Sequence, residues 1–217
     1  MSTLLTALAT AAPVSAGWAM HVLWLRHRLR TARRDPLTGL RTREGFTHRA
    51  TALLRDERAV VVLADVDHFK QINDRYGHAA GDALLKATAQ RLAHYVGTDG
   101  VVGRLGGDEF AAVVIDRNGT AADLLAVLHG VLARPVDGQA PNVHATVSLG
   151  WVRAADHPSD DLSRLLGRAD EAMYAAKQAR AGIRRAGLGR LFATVAGHRS
   201  GRCGGGRIDG PPVGMAA

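Results

Sequence analysis

The sequence predicts an α+β fold in which a central antiparallel sheet is flanked by helices. Three observations lead there. Residues 59–64 form an unbroken Ala-Val-Val-Val-Leu-Ala run, the pattern of a strand buried on both faces. Residues 101–105 and 110–115 are two more apolar runs separated by Gly106-Gly107-Asp108-Glu109, which reads as a hairpin. Between and around these runs lie segments whose apolar residues recur at helical spacing.

Taken in order, Asp35-Pro36-Leu37-Thr38-Gly39-Leu40 is a turn, punctuated by Pro and Gly. Thr42 is placed to cap a helix with Phe46, Ala50, Leu53 and Leu54 on its apolar face. After the 59–64 strand, residues 68–76 form a short helix ended by Gly77. Residues 82–96 form a longer one, with Leu85, Ala89, Leu92 and Val96 on one stripe. Beyond the hairpin, 120–133 is helical and is expected to turn Leu124, Val127, Leu128 and Val131 inward. Ala145, Val147, Leu149 and Trp151 alternate along another strand. Residues 160–181 close the fold as a helix burying Leu162, Leu166, Ala169, Met173 and Ala176. The expected order is βααβ-βαβα.

The 217 residues hold one full-sized domain with short appendages, and 47% apolar with 22% charged residues is ordinary for a globular core. The net charge of +8 is not ordinary. Much of the surplus lies on the flanks, at 26–34 and 180–207, whereas a nucleic-acid protein concentrates it on the folded face. No nucleic-acid partner is expected. One cysteine, Cys203, allows neither an internal disulfide nor a Cys-based zinc site.

Residues 4–25 contain no Asp, Glu, Lys or Arg and are long enough to cross a bilayer as a helix. A cleaved signal peptide and a buried soluble helix compete with that reading. The absence of a positive n-region weighs against the first, while Pro13 and His21 favour the second. A membrane anchor over 1–25 fits best, with Trp18 and Trp24 near an interface and the basic linker 26–34 kept in the cytoplasm. The expected location is a single-pass protein of the cell membrane with its domain, 35–186, in the cytoplasm. Residues 187–217, rich in Gly and Arg, read as a disordered tail.

Several small constellations carry chemistry. Asp65-Val66-Asp67 ends the buried strand, where paired carboxylates serve either as a helix cap or as part of a metal site. Asp108 and Glu109 put two acids on a hairpin tip, and like charges there repel unless a cation sits between them. If the hairpin pairs beside the 59–64 strand, Asp108 and Asp65 converge. Hard oxygen ligands suit Mg²⁺, and the glycines let a phosphate approach the backbone. His68-Phe69-Lys70 opens a helix, where backbone N–H groups and a lysine favour an anion. Lys177 is equally compatible with a solvated role. Asn73 and Asp82 flank the turn Tyr76-Gly77-His78 and could be routine turn and cap residues.

Together and in this order, the motifs resemble the GGDEF family. They are Asp35-Pro-Leu-Thr-Gly-Leu, Asp65-Val-Asp-His-Phe-Lys-Gln-Ile-Asn-Asp and Tyr76-Gly-His-Ala-Ala-Gly-Asp, followed by Arg104-Leu-Gly-Gly-Asp-Glu-Phe, Val147-Ser-Leu-Gly and Ala169-Asp-Glu-Ala-Met-Tyr-Ala-Ala-Lys. The resemblance covers about residues 34–182. It implies a fold like the palm of polymerases and class III nucleotidyl cyclases. It also implies a diguanylate cyclase that condenses two GTP into cyclic di-GMP for second-messenger signalling, as a homodimer with one GTP per domain.

On this resemblance Asp65 and Asp108 hold Mg²⁺ by side chain and Val66 by its carbonyl, with two ions per site and Mn²⁺ as a substitute. Asp108 helps deprotonate the 3′-hydroxyl, Lys70 stabilises phosphate charge, and Glu109 belongs to the catalytic signature. The amides of His68, Phe69 and Lys70 cradle phosphates, Asn73 and Asp82 read guanine, and Lys177 contributes to substrate binding.

Two departures stand out. The family's last helix commonly ends Lys-x-x-Gly-Arg-Asn, but its arginine position falls here on Ala181, so Arg180 or Arg184 is expected to substitute. An inhibitory Arg-x-x-Asp upstream of the hairpin falls on Gly97 and Gly100, so product inhibition through that site is expected to be weak. A domain that binds GTP or a partner without catalysis is the alternative.

Overall fold

The computed structural model describes residues 33–136, 143, 145–179 and 181–187, together with 18, 20–22 and 24. Its elements are β1 (Arg41–Thr42), α1 (Arg43–Leu53), β2 (Ala59–Val66), α2 (Phe69–Tyr76), α3 (His78–Val96), β3 (Val101–Arg104), β4 (Glu109–Ile115), α4 (Ala121–Leu132), β5 (Val147–Arg153), α5 (Leu162–Ala179) and β6 (Ile183–Arg185). A single 3₁₀ turn, Ala154–Asp156, follows β5.

The six strands lie in the order β1-β3-β4-β2-β5-β6. The central four are antiparallel, but β1 pairs parallel with β3 and β5 pairs parallel with β6. The sheet is therefore mixed, not antiparallel as the sequence suggested. The edge strands have two and three residues, too few to show any alternation. β6 is parallel because α5 carries the chain back across the sheet before it pairs.

Helices cover both faces. On one, Val60, Val62, Ala64 and Val66 of β2 meet Leu84, Leu85 and Leu92 of α3 and Leu125, Leu128 and Leu132 of α4. On the other, Val61 and Leu63 meet Phe46 and Ala50 of α1 and Leu162, Leu165, Ala169 and Met173 of α5. Burial on both sides is why β2 reads as continuous valine rather than as an alternation. Each buried Val, Leu, Phe or Met side chain contributes about 1.5–3 kcal/mol when withdrawn from water.

The inward face of α4 differs from the sequence expectation. Ala121, Leu125, Leu128 and Leu132 are buried, while Leu124 and Val127 are 48% and 65% exposed. This helix is apolar nearly all round, so periodicity alone does not fix its rotation. α3 begins at His78, four residues before the expected start, and in α5 it is Leu165 rather than Leu166 that is fully buried.

Thr42 caps α1 as expected, accepting from the Gly45 amide at 3.4 Å. α5 lies close on β5 because position 150 is glycine. A Cβ there would stand 2.0 Å from the Ala169 carbonyl oxygen and 2.4 Å from the Met173 nitrogen. That close seating fixes Met173 on the sheet, and Lys177, one turn further on, is carried to the end of β2.

The expected anchor over 4–25, most of the basic linker and the tail beyond 187 fall outside the described residues, apart from isolated positions. No helix among the described residues is long and apolar enough to cross a membrane, and the expected N-terminal hydrophobic helix is not part of the described fold.

Candidate active site

The chemistry-bearing residues meet where β2 ends beside the β3–β4 hairpin. Asp65 stands opposite Glu109 in the ladder, and the Val66 amide donates to the Asp108 carbonyl at 3.3 Å. The hairpin tip therefore rests on the end of β2, as the sequence suggested. Asp65 is mostly buried, and its Oδ1 lies 2.5 Å from Nζ of Lys177. Burial pushes the Asp65 carboxyl above its usual range. Lys177 pulls it back, and the neighbouring charges of Asp108 and Glu109 push it up again; the net direction is upward.

An excess of negative charge that one lysine does not cancel is the environment a divalent cation relieves. Carboxylate oxygens of Asp65 and Asp108 with the Val66 carbonyl are hard donors and fit Mg²⁺, which keeps water and phosphate oxygens in its shell. Among the described residues no group of three or more His, Cys, Asp or Glu forms a closed metal cage, and an ion held by two carboxylates and substrate needs none.

Asp67 has a different task from Asp65. Its Oδ2 accepts from the Thr146 hydroxyl at 2.6 Å and its Oδ1 from the Ser148 hydroxyl at 2.8 Å, while its amide donates to the Thr146 carbonyl at 2.9 Å. Both oxygens are engaged, so Asp67 anchors the chain to β5. The backbone then turns through His68 at φ 57°, ψ 26°, the sole non-glycine residue with positive φ among those described. A left-handed residue of this kind costs roughly 1–2 kcal/mol, and the Asp67 anchor holds it. No side chain caps α2 at His68, so its first amides remain available to an anion. Lys70 is exposed beside them.

Asp67, His68, Thr146, Ser148, Lys177 and Ala181 are among the residues lining a cleft of about 580 Å³. Ala181 brings no charge to it. Arg184 is exposed on β6, and Arg180 lies outside the described residues.

Across the α2–α3 turn, Asn73 lies against Gly81, the residue before Asp82. A Cβ on Gly81 would stand 1.9 Å from Asn73 Oδ1, so this glycine is what lets the amide lie against the start of α3 beside the exposed Asp82. Glu109 is exposed, 3.9 Å from the Arg43 guanidinium.

One supporting pair had no assigned role in the sequence. Arg104 donates to the carbonyls of Gly106 and Gly107 through Nε at 3.2 and 3.1 Å, and to Gly107 through Nη2 at 2.7 Å. Its Nη1 reaches both oxygens of Asp35 at 3.1 and 3.2 Å. Asp35 also accepts from the Thr38 hydroxyl and amide. Burial alone would raise its carboxyl, but Thr38 and then Arg104 outweigh it, and the net direction is down. The clamp fixes the tip that carries Asp108. Both residues stand in the quoted motifs, but a contact across 69 positions leaves no local pattern to read.

Comparison with known proteins agrees with this geometry. The family described as "Diguanylate cyclase, GGDEF domain" matches residues 32–182. A protein of Streptomyces ambofaciens described as uncharacterized is 48% identical over 162 residues, covering 74% of this chain and 87% of that one. Diguanylate cyclase TpbB of Pseudomonas aeruginosa is 38% identical over 165 residues, covering 71% of this chain but 37% of its own length. The GGDEF domain of TpbB superimposes with a TM-score of 0.63 at 36% identity, over 71% of this chain and 95% of that one. The coiled coil and GGDEF domain of DgcB from Caulobacter crescentus, in complex with c-di-GMP, gives 0.72 at 25% identity, over 82% and 98%. The chain belongs to the GGDEF diguanylate cyclase family.

Proposed function

We propose that this protein condenses two GTP molecules into cyclic di-GMP and releases pyrophosphate. The observation that carries the proposal is the meeting of Asp65, the Asp108 tip and Lys177 beside the uncapped start of α2. Hard-oxygen donors beside exposed helix amides support the reading of a metal site next to a phosphate site. In the proposed reaction the 3′-oxygen of one GTP attacks the α-phosphate of the other, and pyrophosphate leaves in line. Bound Mg²⁺ would polarise the attacking and leaving oxygens, with two ions per site and Mn²⁺ able to replace them.

The chain's own residues do the rest. Asp65 and Asp108, with the Val66 carbonyl, hold the metal. Asp108 takes up the 3′-hydroxyl proton, and Glu109 completes the acidic tip. The amides of His68, Phe69 and Lys70 hold phosphate oxygens, and the Lys70 and Lys177 ammonium groups balance their charge. Asn73 and Asp82 hold the guanine edge. Each domain carries one GTP, so two copies face one another across a two-fold axis. The apolar N-terminal run anchors the protein in the cell membrane with this domain in the cytoplasm.

A second reading, a domain that binds GTP without turning it over, is favoured by Ala181 at the family's arginine position. Equilibrium binding of GTP alongside mass analysis of products separates the two. Binding with Mg²⁺ and a dinucleotide product supports the enzyme. Binding without product after prolonged incubation supports the inert domain.

A further inference from the structure

His129, in the last turn of α4, has no task in the reaction proposed above. Its Nε2 is buried and has no hydrogen-bond partner among the described residues. A buried polar atom in that condition is costly until something completes it. His129 also lines the cleft of about 580 Å³, together with Asp67, His68, Lys177, Ala181 and Gly182. The wall of the cleft beside the acidic hairpin tip therefore holds an imidazole with nothing to bind.

The contacts around the ring define its surroundings. A Cβ on Gly182 would stand 2.2 Å from Nε2 and 2.5 Å from Cε1. The ring edge thus lies against the turn between α5 and β6, and only glycine leaves room for it. That turn is tied down on both sides. The Gly182 carbonyl accepts from the Leu149 amide at 2.7 Å, and the Ala181 amide donates to the Ala176 carbonyl at 3.0 Å. The imidazole hangs on two side-chain torsions, so it is the ring, and not the turn, that can swing toward the cleft. Two other charged groups of the lining are already engaged, Asp67 with Thr146 and Ser148 and Lys177 with Asp65. Ala181, where the family commonly carries arginine, offers no donor.

We propose that His129 is a phosphate-binding residue, which donates from Nε2 to a phosphate oxygen of the nucleotide and takes over the task of the arginine replaced by Ala181. The inference rests on reading this cleft as the triphosphate site. It adds a side chain from α4, a helix that carries none of the sequence motifs of the site. An imidazole Nε2–H is a donor to phosphate oxygen, and the imidazolium form brings a positive charge as well. A hydrogen bond to an ionised oxygen is stronger than one between neutral groups.

The test measures binding of inorganic pyrophosphate with Mg²⁺ to the full chain by calorimetry, and synthesis of cyclic di-GMP in parallel. His129→Phe keeps a ring against Gly182 and removes the donor. It should weaken pyrophosphate binding roughly tenfold, and His129→Phe/Ala181→Arg should return to within about threefold of the parent. A second measurement leaves the site intact. In parent protein labelled with ¹⁵N-histidine, the Nε2 resonance of His129, assigned by its loss in His129→Gln, should shift when pyrophosphate is added. Parent-like pyrophosphate affinity in His129→Phe, or a His129 resonance that stays in place while the parent binds pyrophosphate, overturns the inference. A parent that binds no pyrophosphate overturns it too. Failure of the catalytic reading looks different, since the parent would then bind pyrophosphate through His129 and form no cyclic di-GMP.

Discussion

The ammonium of Lys177 sits 2.5 Å from Oδ1 of Asp65, joining the end of the last helix to the end of the central strand. The contact occupies the place where the proposed reaction needs positive charge. On the proposed mechanism it would partly offset Asp65 before metal and triphosphate bind, and Lys177 would then turn to phosphate. Lys177→Met should therefore lower kcat/KM for GTP by roughly 10- to 100-fold, the loss of one charge-assisted contact of about 1.5–3 kcal/mol. Unchanged steady-state kinetics would reduce Lys177 to a structural partner of Asp65.

The Asp35–Arg104 clamp makes a pH-dependent prediction. The Asp35 carboxyl is held below its ordinary 3.8, so its contribution to stability is present above that value and is lost as pH falls through the lowered one. Asp35→Asn should cost about 1 kcal/mol near neutrality, and the gap to the parent should close on acidification below 3.8. Denaturant unfolding across that range measures it. A gap independent of pH would mean the ion pair carries no stability.

Asp67 should behave as an anchor and not as a metal ligand. Asp67→Asn keeps one acceptor oxygen for Ser148 or Thr146 and should retain turnover to within about tenfold, with a stability loss of roughly 1 kcal/mol. Removing both hydroxyls with Thr146→Val/Ser148→Ala should reproduce the same loss. If Asp67→Asn instead abolishes Mn²⁺ binding in calorimetry, the carboxylate leaves β5 for the metal.

Much of this site can be read from the sequence, and what cannot has physical reasons. β2 shows itself because a strand buried on both faces is a valine run, and the hairpin because two glycines and two acids interrupt apolar segments. Asp65 and Asp108 converge as their positions suggest. The parallel edge strands do not show, since two or three residues carry no period. The rotation of α4 does not show either, because Leu124 and Val127 are as apolar as Leu125 and Leu128. Nor do the distant pairs Asp35–Arg104 and Asp67–Ser148, whose residue types serve equally well as turn formers and surface polar groups.

The proposed guanine pocket can be tested through a residue that would touch no base. A methyl at position 81 would collide with Asn73 Oδ1, so Gly81→Ala should displace the amide and raise KM for GTP at least tenfold with little change in fold. Asp82→Asn should have a similar effect, since guanine N1–H and the N2 amine need a carboxylate pair of oxygens, and ATP should be negligibly used by the parent. Unaltered KM in both variants would place the base elsewhere.

The central claim is tested most directly by incubating the full chain with GTP and Mg²⁺ and quantifying cyclic di-GMP for the parent and for Asp108→Ala at several protein concentrations. The parent should form cyclic di-GMP and pyrophosphate, at a rate rising more steeply than linearly where dimers are scarce. Chelation of the metal should stop it, and Asp108→Ala should lose nearly all activity while still unfolding cooperatively. Parent-like synthesis by Asp108→Ala, or no cyclic di-GMP from the parent at any concentration despite bound GTP, would contradict the account.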